Sequence, residues 1–171
     1  PRPWAIPGTP GLEHRIGGIE KKHLTGTVNY EPANHELMTK LREEKILKIR
    51  QRIPPCEVYG ESSGDLLLLG WGGTFGSIRG VAKHLQAKGI KARHLHLRHL
   101  NPLPGDLGDI LKRFKKVLVP EINRGQLVKL IRAEYMVDAQ GFNQVRGRPL
   151  NEQELEAAVE LMLKEEAVHV S

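Results

Sequence analysis

From residue 65 onward, short apolar runs alternate with stretches of helical periodicity, and few folds accommodate that pattern. Leu66, Leu67, Leu68 and Leu69 form an unbroken apolar run closed by Gly70. Such a run suits a strand buried on both faces of a parallel sheet. Residues 74–88 follow with helical spacing, placing Ile78, Val81, Ala82 and Leu85 inward and Gly89 as the stop. Further strands are expected at 91–97, 116–120 and 136–139, with helices at 107–114 and 126–135 filling the gaps. A final helix over 152–166 begins after Asn151, with Glu154 three residues on in a variant of the capping box, and turns Leu155, Val159 and Met162 inward. Strands separated by helices with short connections predict an α/β domain with a mostly parallel sheet flanked by helices.

The first 64 residues read differently. They are rich in Gly and Pro up to Gly18, polar through Glu31, and poor in core-forming residues. We expect an extended N-terminal arm and linker at 1–64, containing one helix at 34–50. In that helix Met38, Leu41, Ile46 and Ile49 share one arc, and Pro54-Pro55 ends it. The α/β domain then occupies 65–171. The opening Pro-Arg-Pro-Trp lacks an initiator Met and the apolar core of a signal peptide, which suggests a fragment or a processed product.

Composition narrows the classes of function. No apolar run approaches the roughly 20 residues that a membrane span needs. Cys56 is the only cysteine, so an intrachain disulfide and a four-cysteine cluster supplied by this chain alone are excluded, and a cytoplasmic location fits best. The net charge is +6, but the basic residues are scattered and aromatics make up 5% of the chain, which argues against nucleic acid as a partner.

In open parallel sheets ligands meet the loops beyond the carboxyl ends of the strands. Four such loops are distinctive here. The first, 70–76, is glycine-rich and opens a helix. Gly72, Gly73 and Thr74 could there hold an anion on free amides, although the loop matches neither the dinucleotide fingerprint nor the P-loop. The second carries Arg98, His99 and Asn101, candidates for contact with a ligand or neighbouring subunit. His94 and His96 precede them on one face of a strand. That spacing would permit two metal ligands, but no third is nominated, and a half-buried strand with a polar outer face is the better reading. The third loop holds Glu121, Asn123 and Gln126; Glu121 would serve as an acid or base if desolvated, or pair with an Arg. Asn143, Gln144 and Arg146 lie in the fourth and suit hydrogen bonding at an interface. No nucleophilic triad or serine elbow is present.

Four phrases together resemble a known family. They are Thr-Pro-Gly-Leu-Glu-His-Arg-Ile-Gly-Gly-Ile-Glu-Lys at 9–21, Leu-Arg-His-Leu-Asn-Pro-Leu-Pro at 97–104, Val-Pro-Glu-Ile-Asn-Arg-Gly-Gln-Leu at 119–127, and Val-Asp-Ala-Gln-Gly-Phe-Asn-Gln-Val-Arg-Gly at 137–147. In order and spacing they resemble the C-terminal third of the α subunit of 2-oxoacid:ferredoxin oxidoreductases, closest to the 2-oxoglutarate enzymes. The resemblance implies a transketolase C-terminal-like domain preceded by the tail of a pyrimidine-binding domain. It also implies an enzyme complex that converts a 2-oxoacid and coenzyme A into acyl-CoA, carbon dioxide and reduced ferredoxin.

Thiamine diphosphate, Mg2+ and a [4Fe-4S] cluster would belong to the whole complex and none to this chain alone, which lacks the Gly-Asp-Gly of the thiamine diphosphate motif. The partners implied are the β subunit and the upstream α-subunit domains, with ferredoxin and coenzyme A joining at the level of the complex. The region would serve structure and assembly and would be inactive alone, with Glu13, His14 and Glu20 as candidates for proximity to the active site. A rival reading is an independent module that binds an anionic ligand at the Gly72-Gly73 turn; another keeps the family and changes the substrate to pyruvate or a branched-chain 2-oxoacid.

Overall fold

The structure, a computed structural model, describes residues 4–14 and 17–169, with side chains to 164. It divides into two compact units, Pro1–Arg52 and Ile53–Ser171. The boundary precedes the one expected at residue 65, because residues 53–64 fold with the second unit. Val58–Tyr59 form strand β1 there, and Arg93 donates to Glu61 at 2.7 Å.

The first unit contains helix α1 (Pro32–Ile49), continued by a 3-10 turn at Arg50–Arg52. Pro32 sits in the first turn, where its missing N–H has no helical partner to lose. Neither α1 nor any other described residue of this unit is buried. Polar contacts organise its turn: Lys21 and Val28 form an antiparallel bridge, and Asn34 accepts from the His23 N–H and donates to the Lys21 carbonyl.

The second unit is built on β2 (Gly64–Trp71), α2 (Phe75–Ala87), β3 (Ala92–Leu97), α3 (Leu107–Leu111), β4 (Phe114–Glu121), α4 (Gln126–Tyr135), β5 (Ala139–Asn143) and α5 (Glu152–His169). The five strands lie in the order β1-β3-β2-β4-β5, all parallel except the short antiparallel edge β1. Strand β2 is central, and its leucines explain the two-layer core. Leu67 and Leu69 join Ile110, Val119, Leu127 and Ile131 on one face; Leu66 and Leu68 join Ile78, Val81, Leu85, Leu155 and Val159 on the other. Helices α3 and α4 thus cover one face, and α2 and α5 the other. All four β2 leucines are fully buried, each gaining roughly 1.5–3 kcal/mol from leaving water.

The final helix starts at the expected cap, with the Glu154 N–H donating to Asn151 Oδ1 at 3.0 Å, but the Glu154 carboxylate turns to Gln144 and Arg146 and leaves the capping box half-formed. Helix α3 ends at Leu111, short of the expected 114, because Phe114 already opens β4. The strand expected at 136–139 lies at Ala139–Asn143, because Met136 ends α4 in the left-handed conformation at φ 53° and Val137 spans the connection. Met136 and Val137 are apolar, but they terminate a helix and do not extend a strand. Among the described residues no helix is long and apolar enough to cross a membrane.

Candidate functional site

The carboxyl ends of the parallel strands finish nearly level. Trp71 lies opposite Leu97, and Glu121 opposite Asn143. Extending the Leu68–Leu118 pairing by three residues sets Trp71 beside Glu121. The connections leaving β2 and β4 diverge to opposite faces, so this edge contains the topological switch point.

Glu121 is fully buried there, and its carboxylate is occupied. It accepts from Trp71 Nε1 at 3.2 Å, Asn123 Nδ2 at 3.0 Å, the Leu127 N–H at 2.9 Å and the Val128 N–H at 3.0 Å. The last two are free amides of the first turn of α4, which a negative charge stabilises. Glu121 therefore caps its own helix and ties β4 to Trp71; among the described residues it pairs with no Arg, and its carboxylate is not free to act as an acid or base. Asn123 is equally committed, because its Oδ1 accepts from the Gly125 and Gln126 N–H groups. Gly125 turns at φ 78°, and a side chain there would meet Asn143 Nδ2 at 3.1 Å, so Asn143 sits against this turn. The Gln126 side chain is exposed.

On the other flank Thr74 closes the glycine turn, donating to the Trp71 carbonyl at 2.8 Å and accepting from its N–H at 3.3 Å. Gly72 adopts φ 57°, and both Gly72 and Gly73 face open space. Beneath the turn lie the two histidines. His94 is fully buried, and its Nδ1 accepts from Arg79 Nε at 3.0 Å, which leaves the ring proton on an Nε2 without a partner among the described residues. Arg79 in turn lies 4.0 Å from the Tyr59 ring and 5.0 Å from the Phe75 ring. Burial, with Arg79 and His96 nearby, pushes His94 down to about 3. His96 bonds the Gly72 carbonyl at 3.2 Å, and burial lowers its pKa as well. The strand face expected to be polar and half-exposed is therefore sealed at His94 by Arg79 and Phe75.

Arg98, His99 and Asn101 are exposed. Arg98 and His99 line a cleft of ≈ 210 Å³ with Pro54, Cys56 and Glu57. The Cys56 thiol is pushed up to about 12 by burial and by the Asp106 carboxylate, whose Oδ2 also accepts the Cys56 N–H. A thiol so held protonated is a poor nucleophile and a poor metal ligand. In the fourth loop Gln144 and Arg146 both bind Glu154, Arg146 at 2.7 Å, and the Arg146 guanidinium, then Gln144, hold that carboxyl below its ordinary range. Arg146 is thereby engaged within its own chain.

The three candidates in the first unit have local partners. Glu13 accepts from the Gly11 N–H at 3.2 Å, and His14 Nδ1 lies 2.8 Å from the Leu12 carbonyl. Residues 15 and 16 of their motif lie outside the described residues. Glu20 takes both guanidinium nitrogens of Arg42 and the His35 ring, and these hold it down to about 2. What sequence reasoning missed is the set of partners, Trp71, Arg79, Glu154 and Arg42. Trp71 left a signal as an indole in a glycine-rich turn, and Glu154 stood out only as a capping-box residue.

Among the described residues no three His, Cys, Asp or Glu side chains converge as metal ligands. With a protonated Cys56, this donor set does not fit an iron–sulfur cluster or the magnesium of a diphosphate.

No protein-family model matches the chain. It is 48% identical over 148 residues to the 2-oxoglutarate oxidoreductase subunit KorA of Mycobacterium tuberculosis, an alignment covering 85% of this chain and 22% of that protein. It is 34% identical over 164 residues to the α subunit of 2-oxoacid:ferredoxin oxidoreductase 2 of Aeropyrum pernix, covering 91% and 25%. The solved 2-oxoglutarate:ferredoxin oxidoreductase of Magnetococcus marinus, with 2-oxoglutarate, coenzyme A and succinyl-CoA bound, superposes with a TM-score of 0.81 at 35% identity, over 92% of this chain and 28% of that one. A split-gene transketolase at 22% identity and TM-score 0.50 shares the fold. The chain thus spans about a quarter of the length of the relatives it matches.

Proposed function

From the premise that this chain is homologous, over most of its length, to the α subunits of 2-oxoacid:ferredoxin oxidoreductases, we propose that it is the C-terminal portion of such a subunit and serves assembly rather than chemistry. The complex would oxidise a 2-oxoacid, 2-oxoglutarate by preference, with coenzyme A, giving acyl-CoA, carbon dioxide and reduced ferredoxin. Thiamine diphosphate, Mg2+ and the [4Fe-4S] cluster would be held elsewhere, on the β subunit and the remaining α-subunit domains. Residues 1–52 would be the tail of the pyrimidine-binding domain, with Glu13, His14 and Glu20 on the side of the active site. A cytoplasmic location suits the single thiol.

The observation that carries this reading is the state of the polar groups at the switch point. Glu121, Asn123 and Thr74 are consumed by the chain's own backbone and Trp71, so the buried polar groups of the edge shape it and are not free for acid, base or nucleophilic chemistry. Substrate preference follows the 48%-identical relative, named for 2-oxoglutarate.

The test is to co-express the complete α chain with its β subunit, purify the pair and follow viologen-dye reduction with coenzyme A and each of 2-oxoglutarate, pyruvate and a branched-chain 2-oxoacid. Co-purification with the largest kcat/KM for 2-oxoglutarate is expected. A pair that forms and favours pyruvate overturns the substrate; a pair that never forms overturns the role.

A further inference from the structure

Several cations of the α/β unit are matched by carboxylates of the same unit, while others, Lys83 and Arg113 among them, are exposed without one among the described residues. Lys88 pairs with Glu156 and Glu160 at 2.7 Å, Arg93 with Glu61 at 2.7 Å, Lys115 with Asp65 at 2.9 Å and Arg146 with Glu154 at 2.7 Å. At the carboxyl edge of the sheet, Arg98 and Arg124 are exposed, and neither has a hydrogen bond or ion pair among the described residues. The loops of that edge, at 70–76, 98–105 and 122–126, contain no Asp or Glu at all. The one carboxylate of the edge, Glu121, is fully buried and fully bonded, and exposed Glu57 lines the same cleft as Arg98.

The two cations occupy related places. Arg98 follows the last residue of β3 and Arg124 lies three beyond the end of β4; these strands flank β2 on either side, which sets their ends about 9.5 Å apart. Between them lies the glycine turn, and beside them lie Phe75 and Ile122, 47% and 46% exposed, with half-buried Trp71 and Leu100. Rigidity completes the picture. The turn is fixed by Thr74 and His96, the β4 end by Glu121 and Asn123. Interfaces prefer this composition, with exposed apolar and arginine side chains on a preorganised frame.

We propose that this edge is the surface on which the α/β unit docks a protein partner whose facing surface is rich in carboxylates, with Arg98 and Arg124 as paired anchors around an apolar centre of Phe75 and Ile122. The inference rests on the assembly role above and identifies which edge performs it. Two exposed arginines without an ion pair among the described residues, on loops that carry no Asp or Glu, suit negative charge across the interface, and the flush strand ends present a broad shelf that suits a protein better than an enclosed small molecule. Arg146 takes no part, because Glu154 already holds it.

The experiment measures the affinity of the complete α chain for its β subunit at several salt concentrations, for wild type and for Arg98→Glu, Arg124→Glu and Lys83→Glu, the last a charge reversal on exposed α2 surface. Arg98→Lys tests rescue, and a melting curve for each variant reports the fold. The two edge reversals are expected to weaken association at least about tenfold and to flatten its salt dependence, with Lys83→Glu unchanged and all melting temperatures close to wild type. Wild-type association that neither reversal alters overturns the proposal and leaves the assembly role standing. Failure of the wild-type pair to associate overturns both. Intact association with weakened coenzyme A binding in the reversals overturns it in favour of a small anionic ligand.

Discussion

The two units of this chain are stabilised by different physics. Residues 53–171 enclose a core on both faces of a sheet, whereas residues 1–52 contain no buried side chain among those described and expose Trp4, Leu24 and Tyr30 at 94%, 78% and 80%. The first unit keeps its shape through the Asn34 bonds and the Glu20, Arg42 and His35 cluster. Exposed polar contacts of that kind are each worth little, and salt screens them. The difference separates a region that carries its own stability from one whose order is local, and it can be broken or sharpened by substitution.

The largest contrast comes from matched leucines. Leu67→Ala, in the fully buried centre of β2, is expected to cost about 4 kcal/mol in urea denaturation, whereas Leu37→Ala, 41% exposed on α1, should cost under about 0.5 kcal/mol. Similar losses at both positions would abolish the distinction. Next is Glu121→Gln, in which an amide must replace an acceptor of four N–H donors; a loss of about 3 kcal/mol is expected, with a change in Trp71 emission.

The third effect depends on pH. His94 falls from an ordinary value near 6.5 to about 3 in the folded chain, so below pH 6.5 the unfolded chain takes up a proton that the folded one refuses. Its neutral form is fully compatible with the fold above 6.5, and stability is lost as pH falls from there toward 3, at up to about 1.4 kcal/mol per pH unit. Unfolding free energies from urea denaturation at pH 7 and 4.5 should therefore differ by roughly 2–3 kcal/mol more in wild type than in His94→Leu; equal pH dependence would contradict the sealed-histidine geometry.

The smallest effect belongs to the first unit. Arg42→Ala should raise the Glu20 pKa from about 2 toward the ordinary carboxylate range in an NMR titration, without moving the urea transition of the α/β unit. In wild type the contribution of Glu20 is present above its unfolded pKa and fades as pH falls toward about 2.

Much of the α/β unit was legible because β2, α2 and α5 are encoded by burial pattern alone. The leucine run has nowhere to go but between two helical layers, and Leu155, Val159 and Met162 fall inward as spaced. Strand β5 was misplaced because Met136, an apolar residue, serves as a left-handed helix terminator, a backbone role that hydrophobicity does not report. Strand β1 went unseen because two residues pairing with β3 leave no periodicity to detect.

At the site, the loops themselves were legible from turn chemistry and their position after strands, but the partners of their side chains were not. Glu121 meets Trp71 across a separation of 50 residues, Arg79 reaches His94 from a helix to a strand, and Glu154 binds Arg146 from a different element. Whether a polar residue is free or spent is a tertiary fact, and it divides Arg98, which has no ion pair among the described residues, from Arg146, which binds Glu154.

The most direct test of the central claim, that this region supports a catalytic centre it does not itself contain, is dye reduction with 2-oxoglutarate, coenzyme A, thiamine diphosphate and Mg2+, comparing the 171-residue chain alone with the complete α–β pair. The account predicts no turnover by the chain alone at any cofactor concentration and sustained turnover by the pair. Cofactor-dependent turnover by the isolated chain would contradict it.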